Sequence, residues 1–437
     1  MPRLPIRATL FSFALAASLG LGLPVNGDVI YVDDDAPGGG DGMTWNTAFK
    51  YLQDALLGAT AGDEIHVAQG IYKPDQDEAG VVTPGDREAT FQLISGVGLH
   101  GGYRGCPGGD CSGDPDEQDV DAYETTLSGD LLGDDGPDFA NYDENSYHVV
   151  TADGTDGTAV LDGITITAGN CSDSFGSGAG LHGSNGSPSI VACRFSRNLG
   201  GNHGGGVFLA FSSSNFVACT IDSNRAYEVG GGLWCQASHL QLTACAISGN
   251  ESGGSAGGLF AMDGSTISIM DSSVVDNVAG VWSSTACGGG LRCYETDLTI
   301  SNTLISGNSA RLDGGGVLCH NGSLVAHCCT ISNNYCGDGF GGGITQGGSG
   351  TLRVTDSLIE NNTSYNGGGV DCGSSAEIIG CTIRGNTADD LVGGGVALFG
   401  SDSTISGCII EGNDANDLGG GIYCQSSCLI ERSRIGG

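Results

Sequence analysis

The chain has 437 residues, of which 80 are glycine and only 15% are charged, a balance that excludes a helical bundle and an ordinary α/β enzyme. Fifty-one acidic side chains face 15 basic ones, giving a formal charge of −36. Such a polyanion repels nucleic acid and anionic membranes, so no nucleic-acid partner is expected, and it attracts divalent cations, with calcium first among them.

Residues 1–27 carry Arg3 and Arg7 ahead of an apolar run from Ala8 to Leu23, the layout of a signal peptide cleaved near Gly27. Nothing else approaches the length of a membrane span. Residues 28–150 read as an N-terminal cap with irregular first coils. Within them Ala48, Phe49, Leu52, Ala55 and Leu56 share one face of an expected helix, placed to cover the open end of a solenoid. Residues 105–123 form an Asp/Gly-rich excursion in which Cys106 and Cys111 are spaced to close a small loop. Strand-like stretches are TFQLIS (90–95), YHVVT (147–151) and ITIT (164–167). Two acidic groups, Asp33, Asp34 and Asp35 and then Asp130, Asp134 and Asp135, are the metal candidates, with solvated loops the plainer alternative.

From 151 to 437 the chain repeats. Glycine runs deliver a hydrophobic residue at Leu181, Val207, Leu233, Leu259, Leu291, Val317, Ile344, Val370, Val396 and Ile422, in steps of 26 or 27 residues with one of 32. Each of the first nine units then reaches an asparagine, from Asn198 and Asn224 through Asn386 and Asn413. Inside the unit, pairs such as Leu233/Cys235, Leu240/Leu242 and Cys245/Ile247 alternate like short strands with one buried face, and parity breaks between pairs mark corners. Three short strands per coil of about 26 residues, with no helical period, describe an all-β parallel β-helix. The glycines answer a need for positive φ and close approach at one corner, and the asparagine is expected to accept a left-handed turn and bond its counterpart one coil on. The last coil opens at Ile422 and runs out before its asparagine, so a longer gene product is expected.

GGG followed by Val, Leu or Ile, with IxxN seventeen residues on, resembles the GGA[ILV]/FxxN repeats of polymorphic outer membrane proteins, and Phe195-Ser196-Arg197-Asn198 matches FxxN literally. Residues 31–74 are similar to the opening of bacterial right-handed β-helix surface proteins. The resemblance implies a right-handed coil and a secreted or cell-surface location, bacterial outer membrane or extracellular. It leaves activity open, because this fold carries lyases, hydrolases and adhesins alike.

Five cysteines follow the first-strand hydrophobe by two (Cys235, Cys293, Cys319, Cys372, Cys424), and six precede the asparagine by five (Cys193, Cys219, Cys245, Cys329, Cys381, Cys408). Parity points both sets inward, as small buried hydrophobes or as the cross-core disulfides Cys235–Cys245, Cys319–Cys329 and Cys372–Cys381. The outward residues of the first strand include His182, Phe208, Trp234, Phe260 and Arg292. Stacked on one exterior line, they would form a platform for sugar rings or another surface protein. The alternative is that a loop covers them, with Trp282 of the long coil's insert 279–288 lying over the stripe. Glu360, Arg384 and Glu411 alternate in sign and read as ion pairs between coils. The basic residues form no cluster in the repeats, and no nucleophile–base arrangement stands out. The expectation is an exported β-helix scaffold for adhesion or glycan contact without catalysis; a calcium-dependent polysaccharide lyase or glycoside hydrolase is the competing class.

Overall fold

Leu181 pairs with Val207 in parallel, and the same register runs on through Leu233, Leu259, Leu291, Val317, Ile344, Val370, Val396 and Ile422. All ten repeat hydrophobes thus form one ladder. A computed structural model describes residues 27–172, 176–283 and 285–436; the export signal expected before Gly27 lies outside the described residues. The ladder continues upstream to Val150 and Phe91, in coils whose long loops hide the period.

First strands make a 12-stranded sheet, second strands a 14-stranded sheet and third strands a 13-stranded sheet, the three walls of a parallel β-helix. A fourth sheet of nine two-residue strands, beginning with Leu199–Gly200, follows each asparagine. Two residues carry no period-2 pattern, so these strands leave no mark on the sequence.

The glycine triplet and the asparagine are one device. Gly230, first of its triplet, has φ +68°, which a Cβ would strain. A Cβ on Gly231 would sit 2.2 Å from the Glu251 carbonyl, and one on Gly232 would sit 2.9 Å from the Asn250 amide. Asn250 is fully buried, and its Nδ2 donates to Asn277 Oδ1 (2.9 Å) and to the Ile221 carbonyl (2.8 Å), while its backbone N–H also donates to Asn277 Oδ1 (3.1 Å). The pattern recurs from Asn198 to Asn413. One expectation changes: the left-handed turn belongs not to the asparagine but to the residue before it, as at Arg197, Ser223 and Asp276. The asparagine keeps an ordinary backbone, and its amide lies along the axis.

The helix is shorter than its pattern. It spans Leu52–Gly58 and buries Leu52, Ala55 and Leu56 against the end of the core. Ala48 and Phe49 precede it. The Phe49 backbone instead exchanges hydrogen bonds with the first strand, accepting from Asp33 N–H and donating to the Tyr31 carbonyl. Edge pairing there outweighs one further helical turn.

Cys106 and Cys111 form a disulfide; the other sixteen cysteines are thiols, so the cross-core bonds Cys235–Cys245, Cys319–Cys329 and Cys372–Cys381 are absent. The two cysteine ladders line different walls. Cys235 stacks between Leu209 and Ala261, while Cys245 donates its S–H to the Phe216 carbonyl one coil back (3.4 Å). Burial pushes the Cys235 thiol up to about 12, so the reactive thiolate is scarce.

Candidate functional site

The outward line of the first strand stacks as a continuous ladder. The rings of His182 and Phe208 lie 4.8 Å apart at 7°, and those of Phe208 and Trp234 4.8 Å apart at 4°, with the Arg292 guanidinium 5.2 Å over Phe260. It is nevertheless not an open platform. Trp234 is 3% and Phe260 8% exposed, packed with Ala210, Ala256 and Val229, and His203 lies on the indole at 4.7 Å. The segments leading into each glycine triplet cover the line, and Leu318, Thr345, Asp371 and Ala397 further along are buried as well. His182, Phe208 and Arg292 stay half-buried.

Trp234 therefore acts as core. Its indole N–H is buried without an acceptor, so Trp234→Phe removes an unpaired donor at little cost, whereas Trp234→Ala destabilises by about 3–5 kcal/mol. Chemical denaturation of both variants checks this, and equal midpoints would contradict it.

Asp371 on the same line is 6% exposed, with Asn366 Nδ2 donating to it at 2.8 Å. Burial, with Asp313 adding to it, pushes its carboxyl up to about 8. The unfolded chain releases that proton near pH 3.9. Between those values the folded state holds a proton that the unfolded state has lost. Stability therefore falls as pH rises, and the whole penalty is felt above pH 8. Asp371→Asn is expected to raise stability by about 2–4 kcal/mol at pH 8.5 and by almost nothing at pH 4, read from melting curves across pH.

Trp282 of the insert 279–288 does not lie over the stripe. Trp282 is 56% exposed and its ring pairs with that of Tyr227, 46% exposed, at 5.4 Å. Across Arg225 from Trp282 lies a groove of about 620 Å³ on the outside of the third and fourth sheets. In the strand Arg194–Ser196, Phe195 fills the core while its neighbours point out. Arg194 donates to both carboxylate oxygens of Asp222 one coil on (2.8 and 2.9 Å). Arg225, in the short strand Arg225–Ala226, donates twice along the axis to one oxygen, Oε2, of Glu251 (2.9 and 2.6 Å). The far wall is the loop 135–139, fastened by Arg197 Nη2 donating to the Gly136 carbonyl at 2.9 Å. The Arg225 guanidinium lies 4.8 Å over Phe139 and 5.8 Å from the Trp282 ring.

Three of the 15 basic residues thus meet in one groove. The repeat positions of Arg194, Arg197 and Arg225 differ, so spacing gave no cluster. Coil stacking and the folded-over loop 130–144 create it. Asp222, Glu251, Asp135 and Asp138 offset their charge.

The two acidic groups part company. Around Asp33, Asp34 and Asp35 the carboxylates accept backbone N–H bonds from Cys106 (2.7 Å), Ile71 (3.1 Å) and Gly108 (2.7 Å), pinning the excursion to the first coil. Asp130, Asp134 and Asp135 are joined by Glu144, which the sequence reading missed because it lies nine residues away, across two short 3-10 turns. Burial raises the Asp135 carboxyl to about 6 and that of Glu144 to about 7. Elsewhere Arg384 pairs with Glu360 at 2.8 Å and Glu411 takes Arg434.

Stacked parallel coils around one apolar core, with a groove on the outer wall, define a parallel β-helix. The chain belongs to the right-handed β-helix region family, whose model matches residues 143–289 and 177–363, just over half of it. No curated protein matches. Among solved structures the chain is similar to a pectate lyase (12% identity, TM-score 0.37, 91% of this chain and 77% of that one). A rhamnogalacturonan lyase (12%, 0.38, 77% and 82%) and the Dettilon tailspike protein (12%, 0.33, 92% and 68%) are similar as well. At these values the likeness concerns the coil alone. No helix among the described residues is long and apolar enough to cross a membrane.

Proposed function

We propose that this chain is an exported β-helix scaffold, secreted or held at the cell surface, that binds a glycan in the Arg194–Arg225 groove without cleaving it. The observation that carries the reading is the groove itself: two guanidinium–carboxylate pairs in line across adjacent coils, with Phe139 in the wall and the exposed Trp282 reached across Arg225. Planar charged pairs offer donors and acceptors to sugar hydroxyls, and aromatic faces take the apolar face of a pyranose ring. The arginines are balanced locally and the chain carries −36, so a neutral saccharide fits better than a polyanion. Titration of neutral and uronate oligosaccharides by calorimetry tests the reading, with a reducing-end assay alongside. Saturable binding of neutral sugars without new reducing ends supports it. Fragment release would replace it with a lyase or hydrolase.

A further inference from the structure

We propose that Asp130, Asp134, Asp135 and Glu144 form a calcium site that fixes the groove's outer wall. One carboxylate oxygen from each lies within 4.8 Å of all the others, four formal charges at one point. Part of that charge is met by the loop: Asp130 accepts N–H bonds from Gly133 (2.5 Å), Asp134 (3.2 Å) and Asp135 (3.3 Å), and Glu144 Oε1 accepts one from Leu132 (3.1 Å). Part is not. Asp135 Oδ1 and Glu144 Oε2 are shielded from solvent and have no hydrogen-bond partner.

Asn145, wholly buried, borders the same cluster: its Nδ2 donates to Asp135 Oδ2 at 2.9 Å and to the Ala168 carbonyl at 2.7 Å, and its Oδ1 has no partner among the described residues. Shielded oxygens without donors cost about 1–3 kcal/mol each, more when charged, and a cation among them would offset that cost. The neighbouring basic groups supply it only in part: Arg197 acts on Asp135 from a distance, while its hydrogen bond goes to the Gly136 carbonyl (2.9 Å) and that of Lys73 to the Leu131 carbonyl (3.2 Å).

An all-oxygen set without histidine or cysteine selects a hard ion. Calcium accepts several protein carboxylates on an irregular loop, whereas magnesium keeps its water and seldom enters an all-protein cage. Asp33, Asp34 and Asp35 differ: backbone N–H groups occupy carboxylate oxygens of each, and no buried oxygen among them lacks a partner among the described residues.

Asp135 also lines the groove, and Gly136 to Phe139 follow it in the wall. Calcium here would hold Phe139 opposite Arg225; this coupling rests on the glycan reading, while metal binding itself does not. The full chain, stripped with EDTA, is titrated with calcium alone by calorimetry and melted with and without it. Expected are one saturable calcium event and a higher melting temperature, with affinity reduced at least tenfold in Glu144→Gln and in Asp134→Asn, whose side chain is exposed and whose fold is at least risk. Asp35→Asn leaves both signals unchanged. No saturable event, an equal response to magnesium, or calcium binding that survives both substitutions would overturn the site. Glycan affinity is then measured with and without calcium. If calcium binds but glycan affinity does not change, the coupling fails; loss of glycan binding in both states refutes the groove reading and leaves the metal site standing.

Discussion

Replacing Asn308 by alanine destabilises the protein by about 3–6 kcal/mol, the largest loss expected from any single side chain here. Asn308 is fully buried in the middle of the asparagine ladder. Its Oδ1 accepts both the backbone N–H (3.0 Å) and the Nδ2 (2.9 Å) of Asn277, and its Nδ2 donates to the Val274 carbonyl (2.8 Å) and to Asn334 Oδ1 (3.0 Å). Alanine leaves the two Asn277 donors and the Val274 acceptor without their buried partners. Asn413→Ala is milder in this chain, because Asn413 is the last asparagine of the ladder among the described residues and is 8% exposed. Contact in a solenoid runs only between neighbouring coils, so the central substitution also splits the melt into two transitions. Calorimetry of both variants reads these effects; equal losses at the two positions would contradict the ladder's role.

Arg225→Ala weakens glycan binding at least tenfold with little loss of stability. The residue sits between two rings and a carboxylate, touching Phe139, Trp282 and Glu251. Removing it strips the groove of its central donor and leaves Glu251 bare toward the ligand. Trp282→Ala, at an exposed position, weakens binding severalfold with no effect on folding. Arg353→Ala is the control: it breaks an exposed pair with Glu377 outside the groove and should change neither binding nor, beyond about 1 kcal/mol, stability.

The architecture was legible because each coil repeats the same solution. Leu233, Cys235, Leu240, Leu242 and Ile247 point inward as their alternation implies, and the Gly-Gly-Gly and Asn250 signals mark the one corner where backbone and amide meet. The site was not legible, for two physical reasons. Parity tells which side of a strand faces out, but not whether a loop lies over that side. Trp234 points out of the coil as expected and is still buried under the segments entering the glycine turns. The groove and the acidic cluster, in turn, depend on the loop 130–144, which obeys no period. Arg197 and Gly136, or Asp135 and Glu144, meet only once that loop folds over the coil. Ring stacking along the first strand and a loop over it were both visible in the sequence, but the cover comes from the segments entering the glycine turns and not from Trp282.

The most direct measurement is a binding isotherm for the wild-type protein and Arg225→Ala with matched neutral and uronate oligosaccharides at low and high salt. The expected result is saturable, nearly salt-independent binding of a neutral oligosaccharide, weakened at least tenfold by the substitution. Absence of saturable binding to any glycan, or affinity that persists in Arg225→Ala, would contradict the assignment of this groove.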